Sequence, residues 1–372
     1  MLRHPTSRSA KVAVICCTLL VLLLPSVVAG LSVDRPASQG ERDRIERVIQ
    51  QRFGQARVDT SGSRMFHTAA IAEAAWPDDE AGQRALILRA RLSQVLGVAA
   101  LGFLTYLAVM LARGRLQALL ACALIAGLPP VAQAGYVLRP ETPGTLFALL
   151  SLLLLQVASR PAPRHRSRRP RRSLMVGFGL MFCAAVSTAL ACETLPSLGA
   201  SLLVPGLVLM IGAAQLLPRG FRCFRRRGLD RLPIQALNRR LIPWTATVLV
   251  AAAITLWLLN SSLTVPIAAL AVTERASPLM PAGALAYGCV IGLVLLGVVA
   301  SVFRVGLSLG RGGRIGPDLI LFVYCAVFLI SAWVGDRGGD PLPLAPALAI
   351  VLSEGMRVVL VLLLGLWSRR KT

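Results

Sequence analysis

Between two long apolar runs, the segment AGYVLRPETPGTLF (134–147) carries Arg139 and Glu141. A carboxylate at a membrane edge can take a proton and a guanidinium can hold an anion. A solvated turn set by Pro140 and Pro143, with Arg139 anchored at head groups, accounts for the same residues. A second pair, Glu354 and Arg357, stands three residues apart on one helical face inside the last apolar run. Ionisable groups at such depth are costly and are paired or functional, so an i,i+3 ion pair and a substrate or proton role both stand. The glycine-rich GLSLGRGGRIG (306–316) resembles a phosphate cradle, yet it lacks Gly-Lys-Ser/Thr and follows no strand pattern, so it reads as a loop. Six cysteines (Cys16, Cys17, Cys122, Cys183, Cys289, Cys325) lie in apolar runs, and no Cys-x-x-Cys or Cys/His spacing exists. Neither disulfides nor zinc are assigned.

The elements that must hold these groups are membrane spans. The 372 residues have a mean hydropathy of +0.68, 55% hydrophobic residues and 15% charged ones, which excludes a soluble domain of this size. The net charge of +23 suggests a nucleic-acid partner at first sight, but the basic residues, nearly all arginine, follow the membrane boundaries, and no such partner is expected. A span needs about 20 mostly apolar residues. The expected fold is therefore all-α and polytopic, with about ten spans near 12–31, 94–112, 117–136, 143–159, 174–191, 197–217, 241–260, 279–303, 319–335 and 343–367. The segment at 263–272 is too short to cross and reads as re-entrant or interfacial. This divides the chain into an N-terminus with first span (1–31), an extracytoplasmic loop (32–93) and a helical bundle (94–372).

Arginine placement orients the bundle. With the N-terminus cytoplasmic, the inward loops include RPAPRHRSRRPRR and RGFRCFRRR, which also suit anionic lipid head groups, while the short outward loops hold at most one arginine each, Arg139, Arg275 and Arg337. Both termini are then cytoplasmic, in a bacterial inner membrane. Acids give a second pattern: only Asp230 and Asp318 fall in inward loops, and most others, Asp34 and Asp59 among them, fall outward. Val27 and Ala29 have the spacing of a signal-cleavage site, so the first span is an anchor or a signal peptide.

The first outward loop reads as a platform of surface helices. Ser38 and Glu41 make a capping box ahead of Ile45, Val48, Ile49 and Phe53 at helical spacing, an amphipathic helix for the outer membrane surface. FHTAAIAEAAW stops at Trp76-Pro77, and EAGQRALILRARLSQVLG runs without a breaker into the second span. Gly288 and Gly292 form a G-x-x-x-G expected to pack helices.

From Arg91 to Gln156 the chain contains RLSQVLG, YLAVMLARGR, GLPPVAQAGY and VLRPETPG. In these motifs it resembles the glycosyltransferase C superfamily of integral membrane enzymes, which includes protein mannosyltransferase-like and lipid A aminoarabinose transferase-like members. The resemblance implies sugar transfer from a polyprenyl-phosphate donor to an acceptor on the outer face, with membrane lipids as surroundings. It implies a general base soon after the first span, at Asp34 with Asp59 as second choice, and a supporting acid at Glu141. Arg139 and Arg337 become the expected phosphate contacts, with Arg35 and Arg275 as further cations. Some members use a divalent metal, although no motif here supports one. The chain departs from the family pattern in having Asp34-Arg35 where Asp-Glu is common, in lacking a His-Pro-Pro-like motif near His67 and Trp76-Pro77, and in having fewer spans than most members. A transporter or flippase with Glu354 and Arg357 facing a central path, and a non-catalytic scaffold of the same fold, are the alternatives.

Overall fold

The computed structural model describes residues 8–31, 33, 39, 41–43, 45–46, 77–133, 141–159, 170–194, 204, 207, 284–310, 316–334 and 342–369. Regular structure among them is helical: α1 (Arg8–Gly30), α2 (Glu80–Arg113), α3 (Arg115–Gly127), α4 (Pro129–Gln133), α5 (Glu141–Ser159), α6 (Pro170–Thr194), α7 (Ala284–Gly310), α8 (Pro317–Val334), a 3-10 turn (Leu342–Leu344) and α9 (Ala345–Arg369). Apolar helices of this kind make the chain a multi-pass membrane protein. Eight of the ten expected spans have a helix at their place, and those at 197–217 and 241–260, like the segment at 263–272, lie outside the described residues apart from isolated helical positions at Val204 and Leu207.

The organising element is α2. Asp79 caps it, its side chain accepting from the Gly82 N–H at 2.8 Å, and Gly114 ends it at φ 99°, a left-handed conformation open to glycine. At 1.5 Å per residue its 34 residues extend about 51 Å, against a hydrocarbon layer of about 30 Å. The surplus is the surface run EAGQRALILRARLSQVLG, which is continuous with the span as its lack of a breaker implied. Around α2 pack α1, α3, α5 and α8, and Val98, Leu101, Ala108 and Val109 on its faces are fully buried.

Two expectations change. The third span, expected near 117–136, is interrupted: α3 stops at Gly127, Leu128 is extended (φ −78°, ψ 129°), and a short α4 restarts at Pro129. A residue before proline is pushed out of the helical region, and the Pro129-Pro130 pair imposes that break. The G-x-x-x-G expectation also shifts. A Cβ on Gly292 meets nothing within 4 Å, whereas one on Gly297 lands on the Val351 carbonyl and one on Gly355 lands on the Leu293 carbonyl, each inside 3.0 Å. Gly297 and Gly355 therefore face one another and set the closest approach of α7 and α9.

Candidate functional site

Buried polar side chains gather at two ends of the bundle. At the first end, Arg91 on α2 donates from Nε and Nη2 to the two carboxylate oxygens of Glu41 at 2.9 and 2.8 Å, and from Nη1 to the Val33 carbonyl. Both side chains of this bidentate pair are almost fully buried. One helical turn further, Gln94 accepts from Thr142 Oγ1 at 2.8 Å, which ties α2 to the first turn of α5. Glu141 is the first residue of α5, half-buried, with its carbonyl accepting from Thr145 Oγ1 at 2.8 Å.

The sequence around Glu141 explains that placement. Pro143 is accommodated because the first turn of a helix has N–H groups without intrahelical partners, and an acid there meets the positive end of the helix dipole. The expected turn set by Pro140 and Pro143 is thus a helix start from Glu141 onward. Asp34, Asp59, Arg35, Arg139, Arg275, Arg337, His67 and Trp76 lie outside the described residues. Asp34 is the neighbour in sequence of Val33, whose carbonyl Arg91 holds. Glu41, expected as a capping-box member with Ser38, which lies outside the described residues, has both carboxylate oxygens on Arg91. Its value as a site-building residue was masked by its local spacing to Ser38, because the partner lies 50 positions away.

At the second end, Glu354 on α9 is fully buried and receives several donors. Arg357 Nη2 lies 2.9 Å from Oε1, and Gln117 Nε2 donates to Oε2. Arg304 on α7 and Arg113 at the end of α2 stand 3.5 and 3.6 Å away. Arg113 also donates to Asp318 Oδ1 at 3.0 Å and Ser301 Oγ at 3.1 Å. The i,i+3 pair read from the sequence is present, as one edge of a network joining α2, α3, α7, α8 and α9. Arg113, Arg304 and Asp318 were read as loop or span-end charges, and nothing in their local spacing reveals that they converge.

The two ends are separated by the length of a membrane. Arg91 and Arg113 lie on the same helix about 33 Å apart along its axis, close to the thickness of the hydrocarbon layer. Among the described residues no three His, Cys, Asp or Glu side chains come together to hold a metal ion.

No family model and no curated protein matches the sequence. Solved structures do match. The oligosaccharyltransferase AglB from Archaeoglobus fulgidus, in complex with an inhibitory peptide and a dolichol-phosphate, superposes with a TM-score of 0.55 at 13% identity, over 92% of this chain and 50% of that one. ArnT from Cupriavidus metallidurans, bound to undecaprenyl phosphate, superposes with a TM-score of 0.53 at 15% identity, over 94% of this chain and 61% of that one. The chain shares the fold of these two structures. It spans between half and three-fifths of the length of these two structures. The agreement covers nearly the whole chain, whereas the sequence motifs lie only between Arg91 and Gln156.

Proposed function

We propose that this protein transfers a sugar from a polyprenyl-phosphate donor to an acceptor at the Glu141 end of the bundle. The observation that carries the reading is the fold, shared with one structure holding dolichol-phosphate and another holding undecaprenyl phosphate. Arginine asymmetry supports placing this end on the outer face of a bacterial inner membrane, with both termini cytoplasmic.

In this reaction an acceptor hydroxyl attacks the anomeric carbon as the bond from that carbon to the phosphate oxygen breaks. The hydroxyl proton goes to a carboxylate, and the departing phosphate keeps the electron pair of the broken bond. Positive charge grows on the sugar and negative charge on the phosphate, so the site needs a base and fixed cations. Asp34 is the base in this proposal. It follows Val33, and the Glu41–Arg91 pair that holds the Val33 carbonyl supports a defined start to the first outward loop. Glu141 is the supporting acid, on a helix start braced by Thr142 and Gln94. Arg139 and Arg337 hold the phosphate.

The test is release of labelled sugar from a synthetic polyprenyl-phosphate sugar by the purified protein in proteoliposomes. The expected result is turnover by the wild type and loss of at least a hundredfold, the scale of general base catalysis, in Asp34→Asn with Glu141→Gln. Full turnover by that double variant overturns the site assignment.

A further inference from the structure

The polar network at the Glu354 end is not used by this chemistry, and its charges do not balance. Among the described residues it contains three guanidinium groups, Arg113, Arg304 and Arg357, and two carboxylates, Asp318 and Glu354. Arg113 is enclosed, with its side chain 1% exposed. Arg304 and Arg357 are open, at 29% and 39%, and both lean on the buried Glu354, Arg304 from α7 and Arg357 from the helix of Glu354 itself. Glu354 cannot neutralise them both, because it also receives Gln117 and faces Arg113.

The surface around the two open arginines is apolar. On α7 the side chains of Val299, Val302 and Phe303 are exposed, and on α9 those of Leu360, Val361 and Leu364 are exposed. Such apolar exposure, on helices long enough to cross a membrane, is what a lipid-facing surface presents. A guanidinium standing in lipid requires an anion, and the anion that a leaflet supplies is a head-group phosphate, which matches the planar donor fork of arginine. Gly297 and Gly355 bring α7 and α9 close, and both arginines reach the one Glu354 carboxylate.

We infer that Arg304 and Arg357 form a binding site for the phosphate of an anionic phospholipid, in the leaflet opposite the Glu141 end, with its acyl chains on the exposed α7 and α9 rows. The inference rests on charge and burial and holds whether or not the protein transfers a sugar.

The test uses full-length protein in nanodiscs of phosphatidylcholine with graded phosphatidylglycerol, with bound lipid counted by native mass spectrometry. Two surface arginines at about fivefold each predict roughly a twenty-five-fold loss of phosphatidylglycerol retention in Arg304→Gln with Arg357→Gln. Arg304→Lys with Arg357→Lys keeps the charge and retains most of the lipid. Arg84→Gln, at an exposed i,i+4 pair on α2, leaves retention unchanged. Should the double glutamine variant fail to fold, Arg304→Gln alone carries the test with an expected fivefold loss. Wild-type retention of phosphatidylglycerol by the glutamine variants overturns the site. Equal protection of the protein by inorganic phosphate in phosphatidylcholine discs assigns the arginines to a free anion and overturns the lipid.

Discussion

Replacing Glu354 with glutamine separates a local ion pair from a network. The substitution keeps the shape of the side chain and removes its charge, leaving Arg113, Arg304 and Arg357 with Asp318 as the remaining carboxylate among the described residues. If Glu354 served Arg357 alone, the loss would be that of an exposed helical pair, about 0.2–0.5 kcal/mol. The structure instead buries Glu354 completely, hydrogen-bonded by Gln117 and Arg357 and ion-paired with Arg113 and Arg304, and breaking a buried pair by removing one partner costs about 3–5 kcal/mol. Glutamine still accepts one hydrogen bond through its amide oxygen, so the lower bound of about 3 kcal/mol is expected. Arg357→Gln, at a side chain 39% exposed, should cost about 1 kcal/mol or less. Unfolding of the purified protein in mixed micelles with increasing SDS measures both. Arg113→Gln added to Glu354→Gln should cost less than the sum of the two singles, since charge is removed from both sides of one network. A Glu354→Gln loss below 0.5 kcal/mol, or one equal to that of Arg357→Gln, would refute the network and restore the simple pair.

Other outcomes follow from the packing. Gly297→Ala and Gly355→Ala each drive a methyl group into a carbonyl of the facing helix and should cost about 1–3 kcal/mol in the same assay, while Gly292→Ala, with open space beside it, should be neutral or slightly stabilising. Arg91→Gln leaves Glu41 buried without its partner and should cost about 3–5 kcal/mol, with faster limited proteolysis between residues 32 and 76 as its local signature. Cys122 and Cys325, buried inside the bundle, should stay unlabelled by membrane-permeant maleimide until the protein is unfolded.

What could be read from the sequence follows from range. Apolar length places a span with no knowledge of its neighbours, so eight expected spans have helices, and the missing breaker before Arg91 correctly joined the surface run to α2. The Glu354–Arg357 pair was legible for the same reason, being three residues apart on one helix. Contacts between distant segments were not legible. Glu41 finds Arg91 across 50 positions, and Gln117 finds Glu354 across 237, so each looked like a cap or a span-end polar group. The glycine contact was missed because G-x-x-x-G is defined within one helix, whereas Gly297 and Gly355 face each other from two. Prolines cut both ways: Pro129 and Pro130 interrupt the third expected span, while Pro143 sits inside a helix that was expected to begin after a turn.

The central claim is that a lipid phosphate donor binds at the Glu141 end, and photocrosslinking tests it most directly. A diazirine-bearing polyprenyl phosphate, irradiated with the protein in liposomes and mapped by peptide mass spectrometry, should label the first turns of α5, the segment 134–140 and the Arg91–Gln94 turn of α2. Labelling confined to α7 and α9 around Arg304 and Arg357, with none near Glu141, would contradict the claim.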